Sequence, residues 1–167
     1  FLSTRSGSSQ VWKLPLDGGE AQQLTALPLD VGSFVLSPDG KSLALSMEVF
    51  PGATPEETRK RLDEIAAGKA TGKIHDRLFF RHWDTWADGR RNHIFVVPAS
   101  GGTPVDVMKD MDADAPSKPF GGRSEYTFTP DSRAIVFGAR NAGREEAWST
   151  NFDLYVAPAD GSAAPRT

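Results

Sequence analysis

Short apolar runs alternate with clusters of Gly, Pro, Asp and Ser along most of the chain, the pattern of brief strands joined by tight turns. The plainest instance is Phe34-Val35-Leu36-Ser37-Pro38-Asp39-Gly40-Lys41-Ser42-Leu43-Ala44-Leu45-Ser46. Pro38 presets φ at the second position of a turn, Asp39 can bond its own backbone, and Gly40 accepts positive φ. The flanking runs read as the strands of a hairpin, with Leu43, Leu45 and Met47 alternating onto one packed face. The same grammar returns in Tyr126-Thr127-Phe128-Thr129-Pro130-Asp131-Ser132-Arg133-Ala134-Ile135-Val136-Phe137-Gly138, where Ser132 stands in place of Gly40.

A second phrase recurs out of phase with the first, at Val11-Trp12-Lys13-Leu14-Pro15-Leu16-Asp17-Gly18-Gly19, Ile94-Phe95-Val96-Val97-Pro98-Ala99-Ser100-Gly101-Gly102 and Leu154-Tyr155-Val156-Ala157-Pro158-Ala159-Asp160-Gly161-Ser162. Each copy is a β-rich run with an aromatic second residue, a proline and a glycine turn. Return segments such as Ala21–Thr25 and Pro104–Met108 make it a hairpin too. Two hairpins per repeat give a four-stranded unit, the size of a β-propeller blade. The fold class is therefore expected to be all-β: a partial β-propeller of two to three four-stranded antiparallel blades.

In chain order, the pattern predicts strands at Phe1–Arg5, Gln10–Leu16, Gln22–Thr25, Gly32–Leu36 and Lys41–Met47. It then breaks over residues 49–92, which read as an insertion holding a helix and a hairpin. Thr54-Pro55-Glu56-Glu57 is a helix start, with Thr54 as cap, Pro55 in the first turn and Glu57 closing a capping box. One amphipathic helix is predicted over Pro55–Ala67. Thr58, Leu62, Ile65 and Ala66 would share a face, Glu56–Lys60 and Glu57–Arg61 would pair, and Gly68 would be the stop. Strands Leu78–Trp83 and His93–Pro98, turning at Asp88-Gly89, would form an outer hairpin. The segments Lys109–Gly122 and Asn141–Thr150 read as polar loops.

A propeller closes with about four to eight blades of roughly 40 to 50 residues each. With two blade equivalents and a partial third in 167 residues, the chain is expected to be a piece of a larger ring. Its unpaired sheet edges would invite self-association or swapped strands. The formal charge of −3, from 19 Lys and Arg against 22 Asp and Glu, gives no reason to expect nucleic acid or an anionic membrane as partner. No apolar run is long enough to cross a bilayer. The absence of cysteine excludes disulfides and cysteine zinc sites, and fits periplasm and cytoplasm alike.

Little in the chain has the form of a catalytic site. There is no Gly-x-Ser-x-Gly nucleophile turn, and Ser100 and Ser162 sit in repeat turns where small residues serve the backbone. His75, His82 and His93, with Asp84 and Asp88, lack the spacing of metal ligands and read as polar residues of a hairpin rim. Asp110-Met111-Asp112-Ala113-Asp114 opens like a calcium loop. It has Ala115 where a glycine is needed and Gly121 where a glutamate should be, so it reads as a solvated acidic loop. No catalytic residue, metal or cofactor is assigned.

Glu145-Glu146 is the pair to watch, because adjacent carboxylates in a partly dehydrated cleft would hold a substrate ammonium group. The plainer role is a solvated charge paired with Arg140 or Arg144. Trp83, Trp86 and Trp148 are candidates for lining the same cavity, against the plainer role of buried packing.

The repeat phrases, the segment Arg81-His82-Trp83-Asp84-Thr85-Trp86 with Asp88-Gly89-Arg90-Arg91-Asn92-His93, and Arg144-Glu145-Glu146-Ala147-Trp148-Ser149-Thr150-Asn151 resemble the N-terminal propeller of bacterial prolyl oligopeptidase family peptidases, in the dipeptidyl and acylaminoacyl peptidase branch. The resemblance implies a C-terminal α/β-hydrolase domain, absent from this chain, that carries the Ser-Asp-His triad. The propeller would then be a non-catalytic gate that admits and positions peptides. It also implies that a glutamate pair on the propeller side holds the substrate amino terminus, which adds weight to Glu145 and Glu146. A periplasmic or secreted location would follow. The rival expectation, from the Ser-Pro-Asp-Gly turn alone, is a TolB-like propeller acting as a protein-binding module.

Overall fold

In a computed structural model describing residues 1–167, twelve short strands and one α-helix build three antiparallel sheets and a small hairpin. The first sheet holds β1 (Leu2–Ser3), β2 (Gln10–Lys13) and β3 (Gln22–Gln23) in that order. The second is four-stranded: β4 (Ser33–Leu36), β5 (Ser42–Val49), β8 (Arg91–Pro98) and β9 (Val105–Asp106). Helix α1 (Pro55–Ala67) and the hairpin β6 (Arg81–His82) and β7 (Thr85–Trp86) lie between β5 and β8. The third sheet joins β10 (Tyr126–Phe128), β11 (Ala134–Ala139) and β12 (Asp153–Pro158), and a bridge from Val156 to Arg166 marks the place of a fourth strand. Each phrase found in the sequence thus occupies the same station in successive sheets, with the Pro-Asp turns joining β4 to β5 and β10 to β11.

The middle sheet explains why these runs are so apolar. Along β5 and β8, Leu43, Leu45, Met47, Phe95 and Val97 face Val11, Leu29 and Val31 of the first sheet region. The intervening Ala44, Ile94 and Val96 face Ile135, Phe137, Ala139 and Ala157 of the third. Period-two alternation with both faces apolar is what a strand buried between two layers requires. Each large side chain so buried stabilises the fold by about 1.5–3 kcal/mol. The molecule is therefore mostly β, a face-to-face stack of small antiparallel sheets with one helix.

Several elements are shorter than the pattern suggested. The predicted Phe1–Arg5 strand is reduced to Leu2–Ser3, because the chain turns where the Gly7 N–H bonds the Thr4 carbonyl. Gln22–Thr25 pairs only at Gln22–Gln23, because Leu24 and Thr25 both donate to the Val11 carbonyl and end the regular ladder. Leu78–Trp83 is not a strand. Its aromatics find no core, and only the local hairpin at Arg81–His82 and Thr85–Trp86 forms, turning at Trp83 with φ of 48°.

The helix has the predicted bounds and cap: the Glu57 N–H bonds Thr54 Oγ1 and the Thr54 N–H bonds Glu57 Oε2. Its docking face is narrower than expected. Pro55 and Thr58 are buried and Leu62 packs on the core, while Ile65 is exposed. The surface pairs are Arg59–Asp63 and Lys60–Glu64 rather than those starting at Glu56 and Glu57. Gly68 ends the helix in extended backbone, with φ of −68°, so it does not serve as a left-handed cap.

Strand order divides the connections between two ends of the stack. The Pro-Asp turns at 37–41 and 129–133 and the glycine turns at 14–19, 99–104 and 159–162 lie at one end. Residues 4–9, 24–32, 50–90, 107–125 and 140–152 lie at the other.

Candidate functional site

The second of these ends, the loop end, is organised by Arg91, the first residue of β8, which the central sheet holds in place. Its guanidinium donates Nε to Asp112 Oδ1 at 2.9 Å and Nη1 to Asp114 Oδ2 at 2.8 Å, and forks onto Glu146 at 3.1 and 2.7 Å. Arg77 of the insertion donates to the free oxygen of Asp112 at 2.6 Å, and Arg140, just past β11, reaches Glu146 at 3.3 Å. Asp114 is completed by the Asn92 N–H at 2.8 Å. Four separate segments are thereby tied together by charge-assisted bonds in a half-dry setting, where such bonds are strong.

The protonation of the cluster follows from this geometry. Burial alone would lower the Arg91 pKa, but its bond to Glu146 and the neighbouring Asp114 and Asp112 charges outweigh it, and the group is held above its ordinary value. Burial would raise Asp112; bonds from Arg77 and Arg91 reverse the sign and hold it below the usual carboxylate range. The Asp110–Asp114 segment is thus an acidic clasp around an arginine, not the solvated loop that composition implied. The sequence carried half of that signal, alternate acids in one loop and Arg90-Arg91 elsewhere, without saying that the two would meet.

Beside the clasp is an open groove of about 570 Å³ lined by His75, Asp76, Arg77, Leu78, Phe80, Arg144, Glu145 and Trp148. The turn that supplies its far wall is a 3-10 helix over Gly143–Ala147, within the segment read from sequence as a polar loop. Its two glutamates diverge. Glu146 points to Arg91 and Arg140 and is only 14% exposed, whereas Glu145 is exposed and its carboxylate accepts no bond from the protein. The expected pair is therefore split into one structural and one free carboxylate.

The tryptophans also part company. Trp148 lines the groove and is 72% exposed, so packing is not its role. Trp86 stands behind the wall, stacked on His75 at 5.7 Å and Phe80 at 6.1 Å. Trp83 lies apart in an exposed cluster with His82 and Phe120. His75 and His82 are exposed as expected of a rim, but His93 is fully buried, with Nδ1 2.9 Å from Asp106 Oδ2 and Nε2 3.0 Å from the Met111 carbonyl. It pairs with Met47 inside the central sheet, so its neighbours demand a compact polar side chain there. No group of three or more His, Asp or Glu side chains is disposed to hold a metal ion.

No protein-family model matches the chain. Over 160 residues, or 93% of its length, it is 32% identical to a dipeptidyl-peptidase 5 of Porphyromonas gingivalis and 29% identical to that of Porphyromonas endodontalis, covering 22% of each. A probable dipeptidyl-peptidase 5 of Aspergillus niger is 30% identical over 159 residues, 86% of this chain and 21% of that protein. The chain spans about a fifth of the length of the curated relatives it matches. Along nearly all of its own length, then, it is related to one part of proteins named dipeptidyl-peptidase.

Proposed function

We propose that the chain is an arc of a β-propeller from a serine exopeptidase of the prolyl oligopeptidase family, and that its task is to gate and position peptides for an α/β-hydrolase domain of the same protein. Three stacked antiparallel sheets, all carrying the glycine-turn phrase and the second and third the Pro-Asp phrase as well, support the propeller. The names of the relatives support a peptidase over a TolB-like binding module. No residue of the chain is given a catalytic role. The natural setting of such a protein is the periplasm or the cell exterior.

The observation that carries the reading is the free Glu145 carboxylate at the mouth of a groove walled by Trp148, Phe80 and His75. A peptide with an unblocked amino terminus would place its ammonium against Glu145, while its first side chains lie on the aromatic wall. Arg91 and Arg140 neutralise Glu146 and fix the turn that presents Glu145. In the full-length peptidase, Glu145→Gln is expected to raise KM for free-amine dipeptide amides about tenfold, with kcat and the thermal midpoint unchanged. N-acetylated substrates should show no such change. Equal KM values for wild type and variant with free-amine substrates would refute the anchoring role.

A further inference from the structure

The groove beside the clasp carries Asp76, Arg77, Arg144 and Glu145, and of these Arg77 has its charge answered by a residue that does not line it. Arg77 Nη1 donates to Asp112 Oδ2 at 2.6 Å, and Asp112 lies on the connection that follows β9. The other oxygen of Asp112 accepts from Arg91 Nε at 2.9 Å. One carboxylate therefore joins the near wall of the groove to the arginine that also holds Glu146, and through it the turn bearing Glu145. The bond to Asp112, and after it that carboxylate's charge, hold the Arg77 guanidinium above its ordinary pKa.

The two arginines that share Asp112 depend on it unequally. Arg91 also meets Asp114 at 2.8 Å and Glu146 at 2.7 Å, so it stays seated and compensated if Asp112 is lost. Arg77 has its ion pair with Asp112 alone. It follows His75 and Asp76 and precedes Leu78 and Phe80 along the same wall, so a freed guanidinium would stand among the residues that meet a peptide's first side chain. Residues 74–79 belong to no helix or strand, and their place against the body is set by the Arg77–Asp112 pair and by Arg144 Nη2, which donates to the Asp76 carbonyl at 3.3 Å.

We propose that Asp112 is a specificity-determining residue that acts through Arg77: it draws this cation onto the clasp, so that the groove does not favour peptides with an acidic first side chain. The role rests on reading the groove as the seat of a peptide amino terminus. Glu145, on the far wall, sets the ammonium; Asp112 governs the charge that the adjoining side chain meets. Specificity is a difference of affinities, and a compensated arginine contributes little to the difference between a charged side chain and its neutral isostere.

Dipeptide amides beginning with glutamate and with glutamine differ in charge and little in shape, and their kinetics in the full-length peptidase test this role. Asp112→Asn keeps the shape of the side chain and one acceptor oxygen. It should raise kcat/KM for the glutamate substrate relative to the glutamine one about fivefold, the effect of one close unit charge in a largely aqueous setting, and do so through KM. Adding Arg77→Gln should return the ratio to that of wild type. A purely structural loss at Asp112 would change both substrates alike. An unchanged ratio in Asp112→Asn, or a raised ratio that persists with Arg77→Gln, overturns the proposal. Glu145→Gln addresses the anchoring role separately, through KM for both substrates. If it raises KM while Asp112→Asn leaves the ratio unchanged, anchoring stands and the role of Asp112 falls; if neither variant has an effect, both fall.

Discussion

The two ends of the sheet stack are built by different physical means. At the turn end each connection is short, and its shape is set by residues a few positions apart. Asp39 accepts from Ser37 Oγ at 2.7 Å and from the Lys41 N–H at 3.0 Å; Asp131 does the same with Thr129 Oγ1 at 2.6 Å and the Arg133 N–H at 3.1 Å. At the loop end the connections around the second and third sheets are long and held by partners remote in sequence, as where Arg91 meets Glu146 and Arg77 meets Asp112. Local bonds can be copied from one repeat to the next at no cost to the neighbours. A remote network exists once, and every member depends on the others being present.

The sharpest way to break the comparison is to remove the hub. Arg91→Met keeps the aliphatic stem but leaves the buried Asp114 and the largely buried Glu146 without their main counter-charge. Losing one partner of such a network is expected to cost about 3–4 kcal/mol, measured by urea unfolding monitored through tryptophan fluorescence. Arg91→Lys should recover only part of the loss, because an ammonium cannot form the fork onto Glu146. If Arg91→Met costs no more than an ordinary surface substitution, the loop end is not held by this network.

The same contrast explains what the sequence disclosed. Turn chemistry and strand alternation are local, so the two phrases, the β4–β5 and β10–β11 hairpins and the capped helix at Pro55–Ala67 were readable from residue order. The split of Glu145 from Glu146 was not. It is decided by Arg91, 55 positions earlier for Glu146, and by whether that arginine also faces Asp112 and Asp114. His93 was misjudged for the same reason: its burial depends on Asp106 and Met111 closing over it from the next connection.

At the turn end the expected effects are graded and smaller. Gly18, Gly101 and Gly161 all have positive φ, so alanine at any of them carries a left-handed strain of about 1 kcal/mol. Their surroundings differ, from open space at Gly18 to the Leu24 carbonyl at Gly101 and Val105 at Gly161. Gly161→Ala should therefore cost about 2–3 kcal/mol, Gly101→Ala somewhat less and Gly18→Ala only the strain, as read from thermal and urea midpoints. Equal costs at the three positions would show that turn-end glycines answer to the backbone alone.

Ser132 tests whether the turn end is entirely local. It occupies the left-handed position, φ of 63°, that Gly40 fills in the first copy at φ of 71°. The departure has a structural reason: the Asp39 N–H of the neighbouring turn donates to Ser132 Oγ at 3.2 Å, joining the two Pro-Asp turns. Ser132→Ala keeps the strain and loses that bond, an expected cost of about 1 kcal/mol. Ser132→Gly loses the bond but relieves the strain, so it should lie within about 0.5 kcal/mol of wild type. A Ser132→Ala variant as stable as wild type would make the inter-turn bond irrelevant.

Acid provides the mildest discrimination. Asp112 is held below the usual carboxylate range by Arg77 and Arg91, which outweigh the opposing effect of burial. A depressed folded-state pKa means the stabilisation is complete above the unfolded value and is lost as pH falls through the folded one, so the change belongs below pH of about 4. Because Asp112 is 39% exposed, solvent screening keeps its share under about 1 kcal/mol. Asp39 and Asp131 are lowered too, chiefly by bonds to hydroxyl and backbone groups within their own turns. Salt separates the two ends. Ion pairing at Asp112 weakens as the screening length shrinks, whereas short hydroxyl and backbone bonds are little affected. Urea unfolding between pH 3 and 6, at low and high ionic strength, should show a salt-sensitive component that Asp112→Asn removes and Asp39→Asn leaves in place. If Asp39→Asn removed it instead, remote charge would not be what distinguishes the loop end.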